Sequence, residues 1–412
     1  MTHVLISGAS VAGPALAFWL RRYGVDVTVV ERAPGPRPGG QGIDVRGAAR
    51  TVLDRMGIID QVRAAHTGVR GLAYLDAAGR RRAEMPAELF GHSGGVIADI
   101  EILRGDLMRI IMDATEGVEY VYDDTITALE QLSDSVAVTF ERSAPRRFDA
   151  VVGADGVFST TRRLAFAGAW RAVDSGYHRA VFTAEPAHAA GRDSWGLDGW
   201  ELMYSMPKGN GVGGRNVLLY PAHGGARGMV HFAGAPVDHD RRDIAGQKRI
   251  VADVLAGEGW EVPRLLDAMW RADDFYFDRH VKIEVESWHR GRVALLGDAC
   301  TAGSAGMGTS LALVGAYVLA GELARADGDP AAAFAAYEAK VRPYAALNMK
   351  QIPGGARGFL PPTRFELQAR MATMVVLLKT PVAKLMMGGL DKAVDSIDLP
   401  DYSLSLDGRF IK

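Results

Sequence analysis

The sequence predicts an α/β protein, α+β overall: a Rossmann-like nucleotide-binding core, a β-rich region inserted into it, and C-terminal helices. Three observations predict this. The first thirty residues read strand, glycine turn, helix, strand. Two later apolar runs, residues 150–153 and 292–296, each run into a turn rich in glycine or small residues, as buried parallel strands do. Between them, from about Trp170 to Asp278, the chain changes character, with five of the seven tryptophans and short β-like runs at 217–220 and 229–233.

The elements follow in order. His3 to Ser7 is a short apolar run, GASVAG follows, and Ala12, Leu16, Trp19, Leu20 and Tyr23 then recur at helical spacing. Gly24 closes that helix, and residues 25–30 form a β-branched run ending in Glu31-Arg32. The unit is βαβ, which calls for a parallel sheet. Residues 46–56 read as a helix, 71–85 as a polar hairpin around Asp76 to Gly79, and 96–103 as a strand entering a helix over 105–115. Residues 118–122, 126–131 and 135–141 are strand-like, and 331–347 and 365–378 are helical.

Composition removes several classes of function. The chain has 412 residues, room for two or three domains at roughly 150 each, and carries 47 Lys+Arg against 49 Asp+Glu. That balance is expected of a folded protein with no nucleic-acid partner. A single cysteine, Cys300, permits no disulfide within the chain, and the ten histidines show no metal-ligand spacing, so no metal is expected and a cytoplasmic location is. Residues 4–20 are uncharged, but Arg21-Arg22 follow them rather than precede them, the reverse of an export signal. Residues 299–321 are also uncharged, yet five glycines among them fit a buried loop entering a buried helix better than a membrane span.

Three turns carry chemistry. Gly8 and Gly13 stand at dinucleotide-fingerprint spacing, with Ser10, Val11 and Ala12 between them; the first glycine permits the tight turn and the last lets the helix pack on the strand. Ser10 replaces the middle glycine and offers a hydroxyl to a phosphate oxygen. Glu31 ends the second strand, where a carboxylate binds ribose hydroxyls, and Arg32 beside it lies along the adenine or its phosphate, or in solvent. The alternative is a βα turn that binds nothing. The second turn contains Asp155, Gly156, Ser159 and Arg162 as D-G-x-x-S-x-x-R. The third runs Gly297-Asp298 to Gly306-Met307-Gly308-Thr309, with Asp298 placed to accept polyol hydroxyls and a helix N-terminus behind it to favour negative charge.

With these three motifs in this order, residues 1–325 resemble the single-component FAD-dependent aromatic hydroxylases. That family contains p-hydroxybenzoate hydroxylase, the tetracycline-inactivating monooxygenases and the hydroxylases that tailor aromatic polyketides. The resemblance implies FAD as cofactor, with the first motif on its ADP half, Asp155-Gly156 serving FAD and the nicotinamide cofactor, and Asp298 on the ribityl chain. It implies NADPH or NADH as co-substrate, dioxygen, and an aromatic, phenolic, polyketide-like substrate hydroxylated through a flavin hydroperoxide by a monomer or homodimer. Arg104, opening the helix after Leu103, is placed to reach FAD, the alternative being a surface ion pair. Asp44 and Arg46 share a strand face beside the isoalloxazine, as catalytic and cofactor-contacting candidates or as a pair supporting the next helix.

The implied FAD-binding domain is discontinuous, 1–70, 101–170 and 280–325; 71–100 and 171–279 form the substrate domain, and 330–412 a C-terminal helical segment covering the pocket. The loop after Asp298 lacks the family's proline and is about two residues short, which predicts a more open wall beside the flavin and leakage of hydrogen peroxide. Two rivals stand beside hydroxylation: a flavoprotein oxidase or dehydrogenase without oxygen insertion, and a non-catalytic flavin-binding protein. Gly91 to Gly95 also fits the G-x-S-x-G elbow of serine hydrolases, but the residues around it lack the strand-to-helix context the elbow needs.

Overall fold

The computed structural model describes residues 2–36, 39–87, 100–185, 194–222, 225–304, 306–326, 328–349, 354–378 and 393–402. The N-terminal unit forms as its pattern requires: β1 (His3–Ser7), α1 (Ala12–Arg22) and β2 (Asp26–Glu31), with β1 and β2 parallel. Then come β3 (Gly42–Asp44), α2 (Ala48–Arg55), α3 (Ile59–Ala64), the hairpin β4 (Gly71–Leu75) and β5 (Arg81–Pro86), β6 (Glu101–Leu103) and α4 (Arg104–Asp113). The helix expected over 46–56 starts two residues later, because Gly47 turns at φ +50° and leaves Arg46 ahead of it.

Next are β7 (Glu119–Tyr122), β8 (Ile126–Gln131), β9 (Val136–Phe140), β10 (Arg146–Phe148), β11 (Ala150–Gly153) and α5 (Thr160–Ala165). The tryptophan-rich stretch supplies β12 (Trp170–Glu185), β13 (Trp200–Met206), β14 (Arg215–Ala222) and β15 (Gly225–Ala233). It also supplies two helices that the β-rich reading missed, α6 (Ile244–Leu255) and α7 (Val262–Arg271). Both were legible: Asp243 caps α6 through Gly246 N, and Val251, Val254 and Leu255, then Val262, Leu265 and Met269, bury one face of each. The chain continues through β16 (Tyr276–Val285), β17 (His289–Arg290), β18 (Val293–Leu295), α8 (Asp298–Thr301), α9 (Gly308–Arg325), α10 (Pro330–Asn348), α11 (Gly355–Phe359) and α12 (Arg364–Leu378).

Two large sheets organise these elements. One runs β17-β18-β11-β1-β2-β7, parallel except for the β17 edge, and its core is shared with α1 and α9. The strands from residues 3, 26, 119, 150 and 293 thus end side by side, and three of them deliver the three turns. The other sheet runs β16-β12-β15-β14-β13-β4-β5. One face of it packs Phe182, Leu219, Val230 and Phe232 against Leu255, Leu265 and Met269 of α6 and α7. Each such buried side chain contributes about 1.5–3 kcal/mol relative to exposure. The opposite face is polar along one row: Asp278, Arg179, His231, Asn216 and Ser205 stand opposite one another across five strands. Among the described residues no helix is long and apolar enough to cross a membrane.

Candidate functional site

A cleft of 280 Å³ lies between the carboxyl ends of the parallel strands and the β16 edge of the second sheet. Open α/β sheets place ligands at this end. Its first wall is the β1–α1 turn. Gly8 sits at φ +110° and its N–H donates to Val30 O at 2.8 Å; a β-carbon there would stand 2.5 Å from Ala154 O, and one on Gly13 would stand 1.9 Å from Gly8 O. No side chain fits at either position, which is the physical reason for both glycines. Ser10, Val11 and Ala12 line the cleft, and Arg104 donates to Ser10 Oγ at 2.9 Å while lining it too. Glu31 accepts from Ala9 N and Ala33 N, each at 2.9 Å, and so closes the turn. Arg32 is exposed and does not line the cleft.

The second turn divides. Gly156, at φ +77° with open space where a β-carbon would be, lines the cleft with Ala154 and Val157. Asp155 does not line it: its carboxylate accepts from Thr161 N at 2.9 Å, Thr161 Oγ1 at 3.0 Å, Ser7 Oγ at 3.3 Å and the Ser159 hydroxyl. Arg162 is 2% exposed, holds Ala299 O at 2.8 Å and Val157 O at 2.6 Å, and lies over the Trp170 ring. Both side chains are engaged by protein groups in this structure. They tie the second turn to the third from behind.

The third turn forms the floor. Gly297, at φ +60°, brings Asp298 to the start of α8, facing the cleft. Protein surrounds this carboxylate deeply enough for desolvation to raise its pKa, with Arg179 opposing, even though the residue's surface opens to the cleft. Gly306, Gly308 and Thr309 line the cleft where α9 begins, and the place of a Gly308 β-carbon is 3.4 Å from Asp298 Oδ1. Met307 caps α9 but is buried in the core rather than lining the cleft. Asp44 lines it; Arg46 is 8% exposed, pairs with Asp44 Oδ2 at 2.7 Å, and its N–H donates to Ser310 Oγ at 3.0 Å. Arg46 thus lies behind Asp44, and the pair ties β3 to α9.

The shortened loop is not left loose. Ile283 N donates to Ala302 O at 3.0 Å, and Gly303, at φ +105°, lies so close to β16 that a β-carbon would stand 2.6 Å from Lys282 Cα. Backbone pairing and a glycine do what the absent proline would have done, which corrects the expectation of an open wall at Ala302 and Gly303.

Sequence reasoning missed the far wall: Arg179 from β12, and Tyr276, Asp278, Arg279 and His280 from β16. Tyr276 donates to Asp278 Oδ2 at 2.8 Å, Arg279 pairs with Asp174, and the His280 ring stacks on Tyr177 at 4.7 Å. Burial and the nearby Arg179 push His280 down to about 4 and His231 to about 3, so both imidazoles are neutral at pH 7. The alternation Tyr276, Asp278, His280 was the available signal, but which strand faces the turns depends on long-range register.

The Gly91 to Gly95 motif lies outside the described residues. Arg80 pairs with Asp76 at 2.9 Å on the exposed hairpin. No group of three metal-ligating side chains occurs among the described residues. A larger groove of 460 Å³ beside α10 holds Ser287, His289 and Glu338. There Ser287 Oγ at 3.3 Å and Glu338 Oε2 at 2.8 Å both meet His289 Nδ1, so the ring cannot relay a proton between them as a hydrolase needs.

Comparison with known proteins agrees with this geometry. A family model described as an FAD binding domain matches residues 1–351. An uncharacterised protein of Mycobacterium tuberculosis is 42% identical over 384 residues, covering 89% of this chain and 97% of that protein. A flavin-dependent monooxygenase of Legionella longbeachae is 34% identical, covering 84% of this chain and 87% of that one. The crystal structure of the tetracycline destructase Tet(51) superimposes with a TM-score of 0.80 at 30% identity, covering 98% of this chain and 99% of that chain. Fold and cleft define an FAD-binding oxidoreductase. The chain belongs to the family of FAD-dependent monooxygenases.

Proposed function

We propose that this chain is an NAD(P)H-consuming, FAD-dependent monooxygenase that hydroxylates an aromatic, phenolic, polyketide-like small molecule. The observation that carries the reading is the cleft itself, where the three turns meet a wall of arginine, tyrosine and neutral histidine. Its residues fit FAD. The walls at Gly156, Gly306 and Gly308 carry no side chain, Asp298 offers an acceptor at the floor, and Ser10 with Arg104 offers donors at the α1 turn. In this reading Ser10 and Arg104 hold the pyrophosphate beside the α1 N-terminus, Glu31 the ribose, and Asp298 the ribityl hydroxyls. The α9 N-terminus favours negative charge on the ring system, and Asp44, braced by Arg46, stands beside it.

Bound FAD would accept a hydride from NADPH or NADH and activate dioxygen. The chain's own contribution is positional. The β16 wall excludes water from the ring face, and Arg179 and Tyr276 orient the substrate's oxygen. The lone, buried Cys300 suits a reducing cytoplasm. The likeness to the tetracycline destructase Tet(51) supports a polycyclic phenolic substrate.

The test is a screen of phenolic compounds for stimulated NADPH consumption by the FAD-loaded protein, followed by labelled dioxygen with the best of them. Label in the product supports hydroxylation. Oxidised product without label identifies an oxidase or dehydrogenase, and failure of NADPH to bleach the flavin with any phenol present identifies a non-catalytic flavoprotein.

A further inference from the structure

Tyr276 and Asp278 do more at the β16 edge of the cleft than present polar atoms. Phe277 between them turns into the core that the second sheet shares with α6 and α7, so its two neighbours face the other way, into the cleft that both line. The Tyr276 hydroxyl donates to Asp278 Oδ2 at 2.8 Å, and Asp278 Oδ1 accepts from Arg279 N at 2.7 Å. Tyr276 is 41% exposed, so a ligand in the cleft meets it directly. A hydroxyl that gives its proton to a carboxylate keeps its oxygen lone pairs free to accept another.

The charges facing this contact come from three elements and the cleft floor. Arg279 on β16 pairs with Asp174, and Arg241, just before α6, lies over the Phe158 ring. Arg179 on β12 stands opposite Asp278, lines the cleft and lies beside the Tyr276 hydroxyl, its guanidinium 6.0 Å from the ring centre. Among the described residues Arg179 has no ion pair, and its Nε is buried without an acceptor. His231 and His280 near it are neutral at pH 7, so neither adds charge. Asp298 on the floor is the other carboxylate that its charge reaches.

A proton acceptor thus stands one hydroxyl away from a ligand, with an uncommitted cation beside that hydroxyl. We propose, resting on the monooxygenase reading for the substrate, that this wall ionises the substrate's phenol: the phenol gives its proton to Tyr276 Oη, Tyr276 passes its own to Asp278 Oδ2, and Arg179 pairs with the phenolate. One O–H bond breaks on the substrate and one forms on Tyr276, one breaks on Tyr276 and one forms on Asp278, and no electrons change hands. Burial raises the Asp278 pKa against the pull of Tyr276 and the arginines, which makes it a stronger base than an exposed aspartate. An ionised phenol is more electron-rich than a neutral one, which favours hydroxylation of its ring.

The probe is 4-nitrophenol, whose phenolate absorbs apart from the phenol, added at pH 6 to the FAD-loaded protein without NADPH and read as a difference spectrum. The bound probe is expected to be ionised to a fraction several-fold above that in buffer. Asp278→Asn should bind it protonated, with FAD content and melting temperature maintained, and Asp278→Glu should restore part of the phenolate band. Tyr276→Phe interrupts the same path with the carboxylate intact and should lose the band too. A probe that stays protonated on the wild-type protein, no binding of it, or a phenolate band undiminished in Asp278→Asn or Tyr276→Phe overturns the assignment. Because the band is read without turnover, it can fail while phenol-stimulated hydroxylation succeeds, so its failure is distinct from failure of the monooxygenase reading.

Discussion

Single residues of the cleft divide into those that face a ligand and those that hold the facing residues in place. Asp298 is of the first kind, a carboxylate at the cleft floor. Asp298→Ala should lose most of the flavin, because hydrogen bonds to a charged acceptor contribute about 1.5–3 kcal/mol. Flavin per chain after gel filtration measures this, and undiminished content would move the ribityl contact elsewhere. Arg104→Ala should weaken FAD binding roughly tenfold or more, since its partner is Ser10 in the α1 turn, whereas Arg80→Ala, whose partner is the exposed Asp76, should leave it unchanged. Equal retention in the two variants would remove Arg104 from the cofactor site. Arg46→Ala should act mainly on stability, by roughly 1–3 kcal/mol, because it strands the half-buried Asp44 carboxylate near Glu101. At this scale the sequence revealed residue types with a backbone reason to be where they are, as Gly8 and Gly13 show. It did not reveal how Asp155 and Arg162 are held, because a motif gives spacing but not which way a side chain turns once a neighbouring Thr161 N–H or Ala299 carbonyl engages it.

At the scale of elements, patterns local to one segment were legible and pairings between segments were not. The βαβ start and α9 follow from periodicity and glycine placement alone. The contribution of β16 to the cleft does not, since it depends on pairing with β12 and on the register shift between Asp174 and His178 that turns His280 toward Tyr177. The same pairing explains how the loop after α8 is held without a proline. Gly303 packs on Lys282 and Ala302 pairs with Ile283, so this contact is the place to test the oxygen economy of the site. Gly303→Val puts a branched side chain at φ +105° where none fits, and should lift the loop from β16. The fraction of NADPH recovered as hydrogen peroxide in the presence of a good substrate should then rise several-fold over wild type, with FAD content maintained. An unchanged fraction would show that another segment excludes water from the ring.

Across the whole molecule, opposite charges nearly cancel, 47 Lys+Arg against 49 Asp+Glu, so general charge repulsion contributes little near neutral pH and a few buried groups set the pH dependence of stability. Two sets act with opposite sign. His178, His231 and His280 are pushed to about 4, 3 and 4, chiefly by burial, so the unfolded chain takes up protons below about 6.5 that the folded chain refuses, and stability falls as pH drops from 6.5 toward 4. Glu101, raised to about 8, and Glu201, also raised well above its ordinary value, hold protons in the folded chain that the unfolded chain has already lost. Their stabilising contribution is complete below about 4.5 and disappears as pH rises through 8. The melting temperature should therefore peak between about 6 and 7 and fall by several degrees on each side, with different residues responsible for each limb. Glu201→Gln should flatten the alkaline limb and steepen the acid limb, because an amide has no proton to lose and so no longer opposes the histidines between about 4.5 and 6.5. His231→Gln should flatten the acid limb only, its lost contact with Asn216 lowering the whole curve without changing the alkaline slope. Melting curves of the three proteins at pH 5, 6.5 and 8.5 decide the matter. A limb unmoved by its own variant would mean that the group is not held in the protonation state its burial dictates.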